Sequence, residues 1–251
     1  MITLKESVDK AGLDYLLKNI DTLVVKEERP KFIRYAERIE LEGDFLMVKY
    51  HQTNEGGRLY AEGSLSLQGF SNDIKVILGK SIYHDIDICN THPTLLYQLC
   101  QKNGWETPEL RDYIENRDFI MNTLGLDKHD FLKTVYGMKI PQLHRLSNEV
   151  KKIGTLLYKQ YPEIKGRTDN PIFSKLSLIL QKIENDILMK MVEFFGKDRV
   201  GVLSYDGFLL YRNGEPPDLE GCEAYITDWK IKLVEKEIQF KPPKKKNKKN
   251  Q

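Results

Sequence analysis

Three aspartates, Asp85, Asp87 and Asp206, lie in stretches that otherwise read as β-strand, where unpaired charge is costly. In residues 81–96, SIYHDIDICNTHPTLL, Ile82, Ile86 and Ile88 supply apolar β-branched residues. Asp85 and Asp87 fall on alternate positions and so share one face of a strand. Asn90 and Thr91 make a turn, and Pro93 has the fixed φ that suits a helix's first turn. Taken alone, the stretch fits an edge strand with two solvated acids as well as a metal-binding carboxylate at a strand end. In a second stretch, RVGVLSYDGFLLYR, two apolar runs flank Asp206, with a hairpin turn expected at Asp206-Gly207. Carboxylates on adjacent strands can hold two metal ions about 4 Å apart, and phosphoryl transfer leaves little covalent work for a protein beyond this. Hard Mg²⁺ suits such a set, because it takes a few carboxylates plus waters and phosphate oxygens.

The elements that must position these acids follow from periodicity and punctuation. Residues 1–40 read as helical, with apolar Leu13, Leu16, Leu17, Ile20 and Leu23. Residues 45–68 read as β-structure, FLMVKYHQ and RLYAEGSLSLQ around a Gly56-Gly57 turn. The helix after Pro93 stops at Asn103-Gly104. Residues 108–137 read as helices separated by Gly125, residues 141–160 as another, and 172–195 as a long amphipathic helix after a polar loop from Pro162 to Pro171. Residues 222–240 contain a helical start and a strand at KEIQF. No internal repeat is visible.

The chain has 251 residues, 40% hydrophobic and 30% charged, enough for a substantial core. No apolar run reaches membrane-span length, and the polar start MITLKESVDK lacks a signal-peptide core, so an intracellular location is expected, whether cytoplasm, nucleus or a viral replication site. Cys89, Cys100 and Cys222 are odd in number and lack metal-ligand spacing, which favours a reducing interior. The net charge of +2 conceals an asymmetry. Six lysines lie in the last eleven residues, KPPKKKNKKNQ; without them 33 basic residues face 37 acidic ones. The body would therefore meet nucleic acid through a local groove, and the tail through non-specific attraction.

Three blocks carry a family resemblance. Asp87-Ile-Cys-Asn-Thr-His92-Pro93 is similar to motif A of the family A DNA polymerases and to the D-x-x-S-L-Y-P-S form of family B, with His92 at the tyrosine position. Lys128 with Tyr136-Gly137 matches the K-x7-Y-G of the family A fingers helix, and Gln181-x4-Asp186-Ile187 is similar to the segment before motif C. Tyr205-Asp206-Gly207 stands at the place of the motif C H-D-E. Over residues 58–211 the chain most resembles the reduced transposon–virus polymerases of giant viruses and mobile elements.

The resemblance implies an α+β fold: an antiparallel palm sheet over residues 81–240, helical fingers inserted at about 108–195 and an N-terminal α/β lobe over 1–80; the low-complexity lysine composition of 241–251 separately predicts a disordered tail. The resemblance also implies DNA synthesis on a primer-template from nucleoside triphosphates with two Mg²⁺ ions, no membrane, and a helicase or primase subunit as a further partner. Asp87 and Asp206 would hold the metals with Asp85 assisting. Lys128, Tyr136, His92, Gln181 and Arg58 would meet the nucleotide, Lys133 being the alternative phosphate contact. Departures from the pattern are Gly207 in place of a second acid, the missing motif A glutamate, and Leu124 where an arginine is expected four residues before Lys128, with Arg117 as a substitute. They keep two rivals in play: a two-metal nuclease, which the triphosphate clamp argues against, and a non-catalytic nucleic-acid-binding subunit with a degenerate palm.

Overall fold

The computed structural model describes residues 1–52 and 57–238. The fold is α+β, with two antiparallel sheets. The first sheet has the order β1-β2-β3, from β1 (Ile2–Ser7), β2 (Phe45–Gln52) and β3 (Leu59–Ala61). Between β1 and β2 run α1 (Lys10–Lys18), α2 (Ile20–Leu23) and α3 (Arg29–Glu42). Asp9 caps α1 by accepting from Gly12 N at 2.9 Å, and Gly43, at φ 84°, ends α3 in the left-handed region.

The helical expectation for 1–40 is corrected at its start. Residues 2–7 pair with 45–50, Leu4 opposite Val48, and bury Leu4 and Glu6 on alternate positions. A strand this short offers few periods to set it apart from a helix. The β-structure expected to Gln68 ends at Ala61, giving way to 3₁₀ turns at Glu62–Ser64 and Leu67–Gly69. Gly56 of the expected turn lies outside the described residues.

After α4 (Asn72–Gly79) comes β4 (Tyr83–Ile88), an inner strand of the second sheet. That sheet has the order β5-β6-β4-β7, with β5 (Val200–Leu203), β6 (Gly207–Tyr211) and β7 (Leu233–Lys236). Both edges of β4 are paired, Asp87 facing Gly207 on one side and Val234 on the other, so the edge-strand alternative falls. Between β4 and β5 stand α5 (Thr91–Lys102), α6 (Pro108–Leu124), α7 (Lys128–Val135), α8 (His144–Gln160) and α9 (Pro171–Phe195). Gly125, at φ 63°, separates α6 from α7, and Asp127 with Asp130 forms a capping box that starts α7. A short α10 (Leu219–Tyr225) precedes β7.

Two strand details shift. The hairpin turn is centred on Tyr205-Asp206, one residue before its expected place, because Ser204 and Gly207 exchange backbone hydrogen bonds at 2.8 and 3.2 Å. The last strand covers LVEK, three residues before the expected KEIQF, of which Gln239 and Phe240 lie outside the described residues. The tail over 241–251 lies outside them too.

One apolar cluster joins the two sheets and the helices, from Leu4 and Tyr35 through Tyr83 and Ile86 to Leu180 and Leu188 of α9. Tyr83 Oη accepts from Ser7 N and donates to Ser7 O, each at 2.8 Å, and Tyr211 Oη donates to Lys5 O at 2.7 Å. Buried Glu6 accepts from Tyr35, Ser66 and Leu67 N; burial outweighs these donors and pushes its carboxyl from 4.5 up to about 7. Among the described residues no helix is long and apolar enough to cross a membrane.

Candidate active site

The end of β4 and the β5–β6 hairpin tip bring Asp87 and Asp206 to one place. Asp87 faces Gly207 in register, and Ile88 N donates to the Asp206 carbonyl at 3.1 Å. The approach depends on glycine: a Cβ at Gly207 would lie 2.1 Å from the Ile86 carbonyl oxygen and 2.9 Å from Asp87 Oδ1. Tyr205, before Asp206, is held at φ 58°, a conformation that costs a non-glycine residue energy. On the other side of β4, Asn90 at φ 51° turns the chain into α5, whose first turn contains Pro93 as expected.

Asp206 is half-buried, and loss of solvation is the main force that raises its carboxyl above the usual range, reinforced by the negative charge of Glu184. Thr91 Oγ1 lies 2.8 Å from Asp206 Oδ2 and 2.9 Å from the Ile88 carbonyl, and its one proton serves one of them at a time. Among the described residues Asp206 makes no ion pair. Asp87 is 6% exposed and pairs with Lys236 of β7. Asp85, on the same face of β4, lies near Lys75 of α4, whose charged form it favours.

Glu184, fully buried in α9, is the hub behind this pair. Arg58 grips it with two hydrogen bonds, Nε at 2.7 Å and Nη2 at 3.1 Å, and His92 Nε2 lies 2.8 Å away. Burial would raise the Glu184 carboxyl, but these partners reverse the effect and hold it below its ordinary value. The Arg58 guanidinium also stands 4.9 Å over the Tyr205 ring. His92 Nδ1 meets the Tyr136 hydroxyl. A carboxylate only accepts, so the Glu184 contact calls for a proton on Nε2, although the ring's angle there makes no hydrogen bond, and Nδ1 shares a proton with the Tyr136 hydroxyl. Burial pushes the Tyr136 phenol up to about 12.

Tyr136 and Gln181 line a cavity of about 780 Å³, together with Tyr60, Phe173 and the loop 163–170. Gln181 Nε2 donates to Ser177 Oγ at 2.8 Å. Of the expected site residues, Asp87, Asp206, His92, Tyr136 and Arg58 thus form one connected cluster, and Gln181 stands beside it. Lys128 does not join. It is exposed at the first residue of α7, with two helical turns, roughly 12 Å of rise, between it and Tyr136. Lys133 pairs with Asp130 at 2.8 Å. Sequence reading missed Lys236 and the contact of Thr91 with Asp206; Glu184, which reads as a salt-bridging helix residue, does pair with Arg58, though its place beside the two aspartates was not foreseen. Only Glu184 had a signal: it is an acid within the buried stripe Leu180, Ile187, Leu188, Met191.

Among the described residues no three His, Cys, Asp or Glu side chains gather as a ready metal cluster. Asp87 and Asp206 nevertheless fit a hard divalent ion, which needs few carboxylates when water and phosphate complete its shell. Asp206 is also a half-buried acid without an ion pair among the described residues.

No family model matches the chain. It is similar to a Sputnik virophage protein that carries a provisional helicase name, 32% identical over 237 residues. That match takes in 78% of this chain, and the chain spans only 30% of the relative's length. Among solved structures it is similar to the POL domain of Pol1 from M. smegmatis, in complex with DNA primer-template and dNTP. The TM-score is 0.47 and the identity 13%, over 90% of this chain and 55% of that one.

Proposed function

We propose that this chain catalyses template-directed nucleotidyl transfer, building DNA on a primer-template from nucleoside triphosphates. The observation that supports this best is the approach of Asp87 on an inner strand to Asp206 at a hairpin tip, backed by a buried network that reaches Tyr136. Asp87 and Asp206 would hold two Mg²⁺ ions, with Asp85 assisting. Bound there, Mg²⁺ would favour ionisation of the primer hydroxyl and offset phosphate charge. Arg58, fixed on Glu184, would keep positive charge beside Asp206 without a free rotamer to lose. The 780 Å³ cavity beside Tyr136 would give an unpaired base an aromatic wall, where stacking tolerates any base. In this reading residues 81–240 are the palm with inserted fingers, and residues 1–80 an accessory lobe.

Lys128 is the proposed triphosphate contact. Its two-turn separation from Tyr136 leaves room for a nucleotide between them, whereas Lys133 is engaged with Asp130. In single-turnover incorporation at varied nucleotide concentration, Lys128→Ala should weaken nucleotide affinity about tenfold and Lys133→Ala little. A larger loss in Lys133→Ala would reverse the assignment.

The relative's helicase name invites a second reading, a nucleotide-driven motor. The chain's one Gly-Lys-Ser, at 79–81, ends α4 and leads into β4. A phosphate-cradling loop needs the reverse order, strand then loop then helix. A helicase is therefore better placed as a partner or a neighbouring part of a longer protein.

Primer extension with Mg²⁺, each nucleotide set, and DNA or RNA template tests the proposal. Templated elongation is expected, abolished in Asp206→Asn while template binding persists. Near-normal elongation by that variant would sink the metal assignment. Shortening of the strand would favour the nuclease, and binding without turnover the degenerate palm.

A further inference from the structure

We infer that Lys236 is a built-in competitor for the cation site at Asp87, so that a divalent ion loads there by displacing its ammonium. The inference rests on the metal-binding reading above. β7 runs antiparallel to β4, with Lys236 opposite Asp85 and Val234 opposite Asp87. From that register the lysine stem reaches along the strand pair, and its Nζ lies against Asp87 Oδ2. The Asp87 side chain is 8% exposed and that of Lys236 50%, so the ammonium comes in from the solvent side and covers the carboxylate. The other oxygen, Oδ1, packs against Gly207, where a Cβ would come within 2.9 Å of it. Oδ1 thus faces the Asp206 hairpin, and Lys236 holds Oδ2, so an ion that takes both oxygens must displace the ammonium.

The side chain suits a placeholder. A lysine ammonium is a strongly hydrated point charge on a flexible stem, and a half-exposed pair is weak enough to exchange. Arg58 behaves in the opposite way, because its two bonds to buried Glu184 fix it in place. Lys236 thus neutralises a mostly buried acid when no ion is present and yields when one arrives. Removing its charge while keeping an apolar stem should tighten ion binding.

The test is Mn²⁺ binding to the 251-residue chain, read from the free-ion electron paramagnetic resonance signal, without nucleotide or nucleic acid. Lys236→Met should bind Mn²⁺ about fivefold more tightly than wild type, equivalent to about 1 kcal/mol. Lys236→Arg, which keeps the charge, should bind no more tightly. Lys232→Met controls for net charge, since Lys232 is nearby in the chain but pairs with Glu223. Equal affinities in Lys236→Met and Lys232→Met would overturn the displacement. Asp87→Asn separates the two levels. If it abolishes Mn²⁺ binding while Lys236→Met changes nothing, the displacement alone is wrong. If Mn²⁺ binding survives Asp87→Asn, or wild type binds none, the metal reading falls and takes the displacement with it.

Discussion

At the scale of single residues, Gly207 and Asp206 trade stability for geometry in opposite ways. A Cβ at Gly207 would press on the Ile86 carbonyl at 2.1 Å, a backbone atom that cannot swing aside. Gly207→Ala should therefore cost about 2–4 kcal/mol in denaturant unfolding, through forced separation of β4 from β6. An unchanged midpoint would show that the strands can part cheaply. On this backbone position 207 has no room for any side chain, which is why a glycine rather than a second acid can stand beside Asp206. Asp206 carries the opposite bargain. Its carboxyl is raised in the folded state, so the fold favours the protonated form and loses stability as pH rises past the unfolded value. With metal chelated, Asp206→Asn should raise the unfolding midpoint at pH 7, and the gain should shrink towards pH 4. A lower midpoint at pH 7 would show that the ionised carboxylate is better solvated than its burial indicates.

At the scale of elements, α9 reaches across the molecule. Arg58 and Glu184 are 126 positions apart, and their bond ties the β3 edge to the middle of α9. Glu184→Ala would strand the Arg58 charge against His92, a loss of roughly 3–5 kcal/mol in chemical denaturation. Arg58→Met combined with Glu184→Leu should recover much of that. Additive losses in the pair would mean the two side chains do not act together. The same elements mark what sequence could reveal. Helices α5 to α9 were legible because Asn103-Gly104, Gly125 and Pro171 punctuate apolar rhythms, which are local signals. Strand β1 was not, since its partners start at residue 45 and its own alternation is brief. The acids Asp87 and Asp206 were legible as charge within apolar strands. Their surroundings were not, because Thr91, Glu184 and Lys236 acquire meaning only when distant segments meet. Nothing in the local pattern around Lys236 marks it as the neighbour of Asp87.

For the whole molecule, charge and chain order dominate. Six of the 39 basic residues lie at 241–251, beyond the described residues, while the rest of the chain is net acidic. Deleting 241–251 should flatten the log–log salt dependence of duplex DNA binding by up to roughly five, at about 0.9 per phosphate neutralised, and leave the rate from the saturated complex unchanged. An unchanged slope would show the tail makes no phosphate contacts. Chain order has its own effect. The inner strand β4 emerges early, but its neighbours β6 and β7 follow only after α5 to α9. Closing Asp87 onto Gly207 shuts a loop of roughly 120 residues, so the entropy of closure is spent before the pairing repays it. During synthesis β4 must therefore wait with both edges open, Ile86 and Ile88 uncovered. Asp85 and Asp87 interrupt that apolar run, and two charges on a waiting strand oppose its pairing with another nascent copy. The acids proposed to serve chemistry in the finished protein would, while the chain was still being made, have kept its central strand from aggregating.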